Sequence, residues 1–228
     1  MTIPVSIWSD IACPWCFVGK AHLETAIRQL ATESPALRLE IRWRAFELDP
    51  RPRAPSTQNY AERLAAKYQH SVEQAQEMID TMTQAISDVG GRADFSKVIA
   101  ANTFNAHRLI QWAGETDRAD ETSSAQHRLT DAFMRGYLGD GLNLAKDEEM
   151  LEVVAALGLS REAAMDVLTS QRFADAVRAD EQAAEQHGVR GVPFFVIDGY
   201  GLSGAQPSEA LLEVIQNAHS KELQCTST

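Results

Sequence analysis

"SDIACPWCFV", residues 9–18, sets Cys13 and Cys16 three positions apart, with Pro14 and Trp15 between them. The chain has 228 residues and 3 cysteines; the third, Cys225, lies in a polar tail, "KELQCTST". Just upstream, "VSIWSD" (5–10) is a short apolar run rich in β-formers. Downstream, "CPWCFVGKAHLETAIRQLATES" reads as a helix whose first turn carries both cysteines. Pro14 suits that turn, where its missing N–H would have no partner. The stretch is therefore a strand-to-helix junction bearing a thiol pair.

Working outward, "LRLEIRWRAFEL" (37–48) alternates like a second strand and ends at Asp49-Pro50. All 8 prolines lie at positions 4, 14, 35, 50, 52, 55, 193 and 207, so none falls between Ser56 and Val192. Proline breaks helix interiors, so this gap predicts a block of helices. "STQNYAERLAAKYQH" is rich in helix formers. "SVEQAQEMIDTMTQAISDVGG" opens with Ser71 and Gln74 at capping-box spacing and closes on Gly90 and Gly91. In "SKVIAANTFNAHRLIQWAGE", Ile99, Asn102, Ala106, Leu109, Ile110 and Ala113 share one helical face. Further helices are expected near 120–136, 147–157, 160–169 and 171–187. "PFFVIDG" then reads as a continuous apolar strand and "YGLSGA" as its hairpin partner, and a last helix starts at Pro207 and Ser208. The order β-α-β, helices, β-β-α predicts an α/β chain: a small mixed sheet with helices packed on it and the helical block across one end as a lid. Residues 1–55 and 188–228 would form one discontinuous domain, and 56–187 an all-helical insertion.

The formal net charge of −11 argues against nucleic acid as a partner, since phosphate backbones are bound mainly through Lys and Arg. No apolar run approaches the roughly 18 residues of a membrane span. The first basic residue is Lys20 and Asp10 interrupts the first apolar stretch, unlike a secretory leader, so a cytoplasmic location is expected. In that compartment structural disulfides are rare.

Three chemistries compete for the cysteine pair. A structural zinc site needs about four N or S ligands, and only Cys13 and Cys16 stand at ligand spacing, so no metal is expected. A structural disulfide across so short a loop gains little entropy. Thiol–disulfide exchange has a mechanism: unpaired amides and the positive end of the dipole at a helix N-terminus favour a thiolate. Cys13, at the exposed start, can attack a substrate disulfide, and Cys16, one turn inside, can resolve the mixed disulfide. Trp15 is expected at the rim, in contact with substrate. Cys225 reads as a free thiol or a regulatory partner of the pair.

The strand–CPWC–helix unit, the helical insertion and "GVRGVPFFVIDG" together resemble the DsbA-like thioredoxin superfamily. "SDIACPWCFVGK", "NTFNAHRL", "GVPFFV" and "SGAQP" are similar to FrnE-type proteins within it. The resemblance implies a thioredoxin fold interrupted by a helical domain. It also implies a thiol–disulfide oxidoreductase with Cys13 as nucleophile and Cys16 as resolving thiol. It further implies a cis Val192–Pro193 bond beside the cysteines and a loop that offers backbone to an extended substrate. Pro14, Trp15, Val192 and Pro193 are then the expected substrate contacts, on protein or small-thiol disulfides. No bound cofactor is implied beyond the Cys13–Cys16 disulfide itself.

One departure stands out. Such proteins often carry a buried acid six residues before the first cysteine, and here that residue is Ile7. Asp10 or Glu47 would have to serve instead, or Asp10 simply caps the helix. Asn102 either lines the groove above Cys13 or is a structural amide. The layout also resembles kappa-class glutathione transferases and hydroxychromene-carboxylate isomerases, which carry Ser in place of the cysteines. That likeness implies glutathione as co-substrate of a transferase or isomerase in aromatic metabolism, and FrnE-type proteins are associated by name with polyketide biosynthesis. His107 and Arg108 would then hold a glutathione carboxylate, or else form a surface ion pair.

Overall fold

A computed structural model describes residues 2–51, 58–116 and 124–225, with side chains described as far as Ser220. Four strands form one sheet: β1 (Thr2–Ser9), β2 (Arg38–Ala45), β3 (Phe194–Ile197) and β4 (Tyr200–Ser203), in the order β2-β1-β3-β4. β1 and β2 are parallel, with Ile7 opposite Trp43 and Ser9 opposite Ala45. Parallel neighbours need a crossover, and helix α1 (Pro14–Glu33) supplies it. β3 runs antiparallel to β1, with Ile7 opposite Phe195, and β4 pairs antiparallel with β3.

Period-two patterning explains the layers. Ile3, Val5 and Ile7 join Leu23, Ile27 and Leu30 of α1 in the main core, together with Leu211 and Ile215 of the last helix, α9 (Ser208–Cys225). Trp8 belongs to a second cluster with Ala184 and Val189, and its indole Nε1 donates to the Asp180 carbonyl at 2.8 Å. Asp180 lies on α8 (Ala174–Gln186) and accepts from the Ala45 amide and Arg44, so α8 is tied to β2.

Between β2 and β3 every described element is helical: α2 (Tyr60–Tyr68), α3 (Val72–Asp88), α4 (Phe104–Thr116), α5 (Ala125–Arg135), α6 (Asp147–Ala156), α7 (Arg161–Thr169) and α8. A π-helical turn, Gly136–Asp140, follows α5. The Ser71–Gln74 capping box forms as its spacing predicts, and Asn59 with Glu62 makes a second one at α2. The block shares its core with the sheet, because one apolar cluster runs from β1 through α1 into α3–α7. Phe17 of α1 sits so close to Gly91 that a Cβ there would lie 2.3 Å from its ring. α8 packs on the sheet as well, although the expected boundary at 187/188 groups it with the inserted helices.

Two expected boundaries are corrected. The helix predicted over 96–115 begins at Phe104, which leaves Ile99 and Asn102 outside it. Asp94 accepts from the Ser96 amide and Asn102 from the Phe104 amide, so side chains satisfy the backbone locally in place of helical bonds. Ala106, Leu109, Ile110 and Ala113 keep their shared buried face. The strand expected to reach residue 48 stops at Ala45, because the Leu48 amide bonds to Asp10 at 2.7 Å rather than to a ladder partner.

Candidate active site

Cys13 is the N-cap residue of α1, with φ −96° and ψ 112°, and Pro14 follows as the first helical residue. The Cys16 amide bonds to the Cys13 carbonyl at 3.1 Å, which closes the first turn. The two sulfurs therefore share one end of one helix, where backbone amides lack intrahelical partners. Trp15 is 41% exposed at the rim.

Both thiols are covered. Cys13 is 4% exposed and Cys16 1%, which corrects the expectation of an exposed Cys13. The reason is the Val192–Pro193 loop, which comes from the far end of the chain: Cys13 Sγ lies 3.5 Å from the Val192 carbonyl oxygen and can donate to it. The Val192–Pro193 peptide bond is cis. Pro193 is buried, and its ring faces Gly19 of α1 so closely that a Cβ at Gly19 would come within 2.9 Å. Pro14, Trp15, Val192 and Pro193 thus converge on the sulfur end of α1.

Burial pushes the Cys16 thiol up, and the neighbouring Cys13 pushes it further. The Ser9 hydroxyl and the Asp10 backbone amide work in the opposite sense without prevailing. Cys16 is therefore a protonated thiol near neutral pH.

The three carboxyl and amide candidates have other work. Asp10 does not cap α1. Its Oδ1 accepts from the Ala12 amide at 3.2 Å and its Oδ2 from the Leu48 amide. Burial alone would raise its carboxyl, but His107 and the Leu48 amide outweigh that and hold it ionised. Glu47 is buried and bonded twice, to Asn102 Nδ2 and to Arg178 Nη1, each at 2.6 Å. Asn102 is thus a structural amide joining the start of α4 to the end of β2. His107 and Arg108 are each 3% exposed, which corrects the expected surface pair. Arg108 donates to the carbonyls of Val167, Ser170 and Arg172 at the end of α7, so its guanidinium is already engaged. The Cys225 side chain lies outside the described residues.

A cleft of about 690 Å³ opens beside Ala12, walled by Leu48, Tyr60, Arg63, Lys67, Thr103 and Tyr137. Burial, Tyr137 and Cys13 together raise the Tyr60 phenol, so it stays protonated and able to donate. Sequence reasoning passed over Tyr60, Arg63 and Lys67, because α2 carries no pattern that separates it from an ordinary surface helix. Among the described residues, no three His, Cys, Asp or Glu side chains gather where they could hold a metal, and no helix is long and apolar enough to cross a membrane.

Residues 4–216 match the family described as the DSBA-like thioredoxin domain. A probable DsbA oxidoreductase from Streptomyces coelicolor is 38% identical, superimposes with a TM-score of 0.84, and the match covers 96% of this chain and 90% of that one. YwbO of Bacillus subtilis, an uncharacterised protein, is 24% identical over 97% of this chain and 100% of its own. The cytosolic disulfide reductase DsbM of Pseudomonas aeruginosa shares the fold at 16% identity and a TM-score of 0.55, covering 99% of this chain and 100% of that one.

Proposed function

This chain belongs to the DsbA-like thioredoxin family, and from that premise we propose that Cys13 and Cys16 are its redox pair. The reading rests on one observation above the others: Cys13 sits at the N-cap of α1, under the Val192 carbonyl, with Cys16 one turn deeper and fully buried. The Cys13 thiolate attacks one sulfur of a substrate disulfide, and the other substrate sulfur leaves as a thiolate. The Cys16 thiolate then attacks Cys13 Sγ. The Cys13–substrate bond breaks, the pair is oxidised, and the substrate is left as a dithiol. Run backwards, the same steps oxidise a substrate dithiol.

Protein disulfides and small thiols are both suitable partners. An extended peptide can pair with the Val192 backbone while Trp15 contacts its side chains. A small thiol such as glutathione would lie in the cleft beside Ala12, where Arg63 and Lys67 could take its carboxylates and Asp10 and Asp49 its ammonium. In the cytoplasm, glutathione would serve as co-substrate.

Insulin-disulfide reduction tests the proposal. Cys13→Ser should abolish it, and Cys16→Ser should accumulate a covalent mixed disulfide visible by mass spectrometry. A Cys13→Ser protein that still reduces insulin would overturn the redox reading. Glutathione-supported isomerisation surviving in that variant would point instead to isomerase chemistry on this fold.

A further inference from the structure

Resolution requires the Cys16 proton to leave a buried sulfur that holds it firmly. The nearby carboxylates are engaged: Glu47 by Asn102 and Arg178, Asp10 by two backbone amides. What remains is a small cavity with room for about one water molecule, walled by Ser9, Ile11, Trp43, Arg44, His107 and Thr130. Three polar atoms of residues lining it, Ser9 Oγ, Arg44 Nε and His107 Nε2, are buried without a hydrogen-bond partner. Partnerless buried polar atoms are uncommon, so three around one chamber call for an explanation. A hydroxyl, an N–H donor and an imidazole nitrogen are the two to four contacts that roughly one water molecule needs.

The cavity shares Ser9 with the surroundings of Cys16 and His107 with those of Asp10. Ser9 lies on the face of β1 that carries Ile7 and Val5 towards α1, and its hydroxyl sits beside the Cys16 thiol. His107 Nε2 lies 3.5 Å from Asp10 Oδ1. The charged groups facing His107 are Asp10, from the turn after β1, and Arg44, from β2, whose guanidinium is paired with Asp180. Thr130 of α5 is the remaining polar neighbour.

We propose that Ser9 and His107 are positioning residues for the resolving thiol: the Ser9 hydroxyl passes the Cys16 proton through one water in this chamber to His107 Nε2. The proposal rests on the redox reading above. In the step, Cys16 S–H gives its proton to Ser9 Oγ as the Ser9 hydroxyl proton moves to the water, and one water proton moves to His107. The Cys16 electron pair forms the bond to Cys13 Sγ, and the substrate sulfur leaves with the electrons of the broken bond. The new imidazolium stands next to the Asp10 carboxylate, which balances its charge. In the reverse direction the proton returns to Cys16 by the same path.

Reaction of the reduced full chain with 5,5′-dithiobis(2-nitrobenzoate), in a Cys225→Ser background, separates the two steps. Attack by Cys13 releases the first thionitrobenzoate, and resolution by Cys16 releases the second. Ser9→Ala and His107→Gln should leave the first release within about twofold of wild type. They should slow the second about tenfold or more near neutral pH, the scale of a lost proton-transfer group. The deficit should shrink as pH rises and hydroxide takes the proton directly, and Ser9→Thr should restore the rate. A second release unchanged in both variants, or slowed equally at every pH, overturns the relay. If wild type releases no first thionitrobenzoate, the redox reading fails and the relay falls with it.

Discussion

One turn along α1 from Cys16, Lys20 is 1% exposed, yet its ammonium meets Glu24 at 2.8 Å and Asp131 at 2.6 Å. Glu24 Oε1 also lies 2.8 Å from His127 Nε2, and His127 Nδ1 accepts from Trp43 Nε1 at 3.3 Å. On the other side of the same sulfur, Ser9, Arg44 and His107 each keep a buried polar atom unpaired. The two regions are a few residues apart on the same helix and strands, and both are polar inside a core. They differ in how closely their charged groups are paired: the first is joined by contacts of 2.6 to 2.8 Å, whereas His107 stands 3.5 Å from Asp10. A network of close ion pairs locks α1 to α5 and β2, even though Asp131 Oδ1 has only its ion pair with Lys20, because breaking it strands charge in low dielectric. An unsatisfied set contributes little to folding but leaves donors and acceptors free for a proton in transit. Holding the helix still and moving a proton are thus assigned to different neighbours of Cys16.

The largest effect should come from breaking the closely paired region. Lys20→Met leaves Glu24 and Asp131 facing each other without their shared cation, at a cost of about 3 kcal/mol, the lower end for a broken buried pair because both acids are partly exposed. Urea unfolding should show that loss as a lower midpoint. A loss under ~1 kcal/mol would mean that the network does not lock α1, and the contrast between the regions would collapse.

A smaller effect should appear with acid. Burial works to raise the Glu24 carboxyl, but His127 and Lys20 overcome it and bring Glu24 down to about 2. The folded value lies below the unfolded one, so the stabilisation is complete above the unfolded value of about 4.5 and is lost as pH falls through about 2. Allowing for partial exposure, that contribution is about 2 kcal/mol. Unfolding measured from pH 5 to pH 2 should lose this amount more steeply in wild type than in Glu24→Gln. Equal slopes would show that Glu24 carries none of it.

The smallest effect belongs to the unsatisfied region. Ser9 Oγ makes no well-formed hydrogen bond to a protein atom and only approaches the Cys16 thiol, so Ser9→Ala should change folding stability by under about 0.5 kcal/mol even though the site is buried. The measurement is the same urea midpoint. A loss above ~1.5 kcal/mol would show that the hydroxyl is a structural partner after all.

Much of the frame is legible along the chain because its causes are local. The proline gap, the Ser71–Gln74 box and the apolar β-forming run of β1 are local signals, and helices, box and strand appear where they were read. The CPWC turn is similar: Pro14 at the first helical position puts Cys13 at the cap whatever packs around it. The misreadings share a different cause. Asn102 falls outside its expected helix while its side chain bonds Glu47, 55 positions away. Asp10 misses its expected cap because the Leu48 amide, 38 positions on, claims it. His107 and Arg108 are polar residues in a helix, and only the packing of α4 beneath α7 and β2 buries them.

By itself, then, the sequence determined that this chain carries a thiol pair at a strand-to-helix junction, inside an α/β frame with a long helical block. Backbone dihedral preferences and hydrophobic period act over a single turn or strand, and they suffice for that much. Tertiary structure alone decided which groups surround each sulfur: Val192 over Cys13 across 179 positions, and Ser9, which also lines a cavity with Arg44 and His107, beside Cys16. Burial and hydrogen-bond satisfaction belong to the folded neighbourhood, and residues distant in sequence set them together.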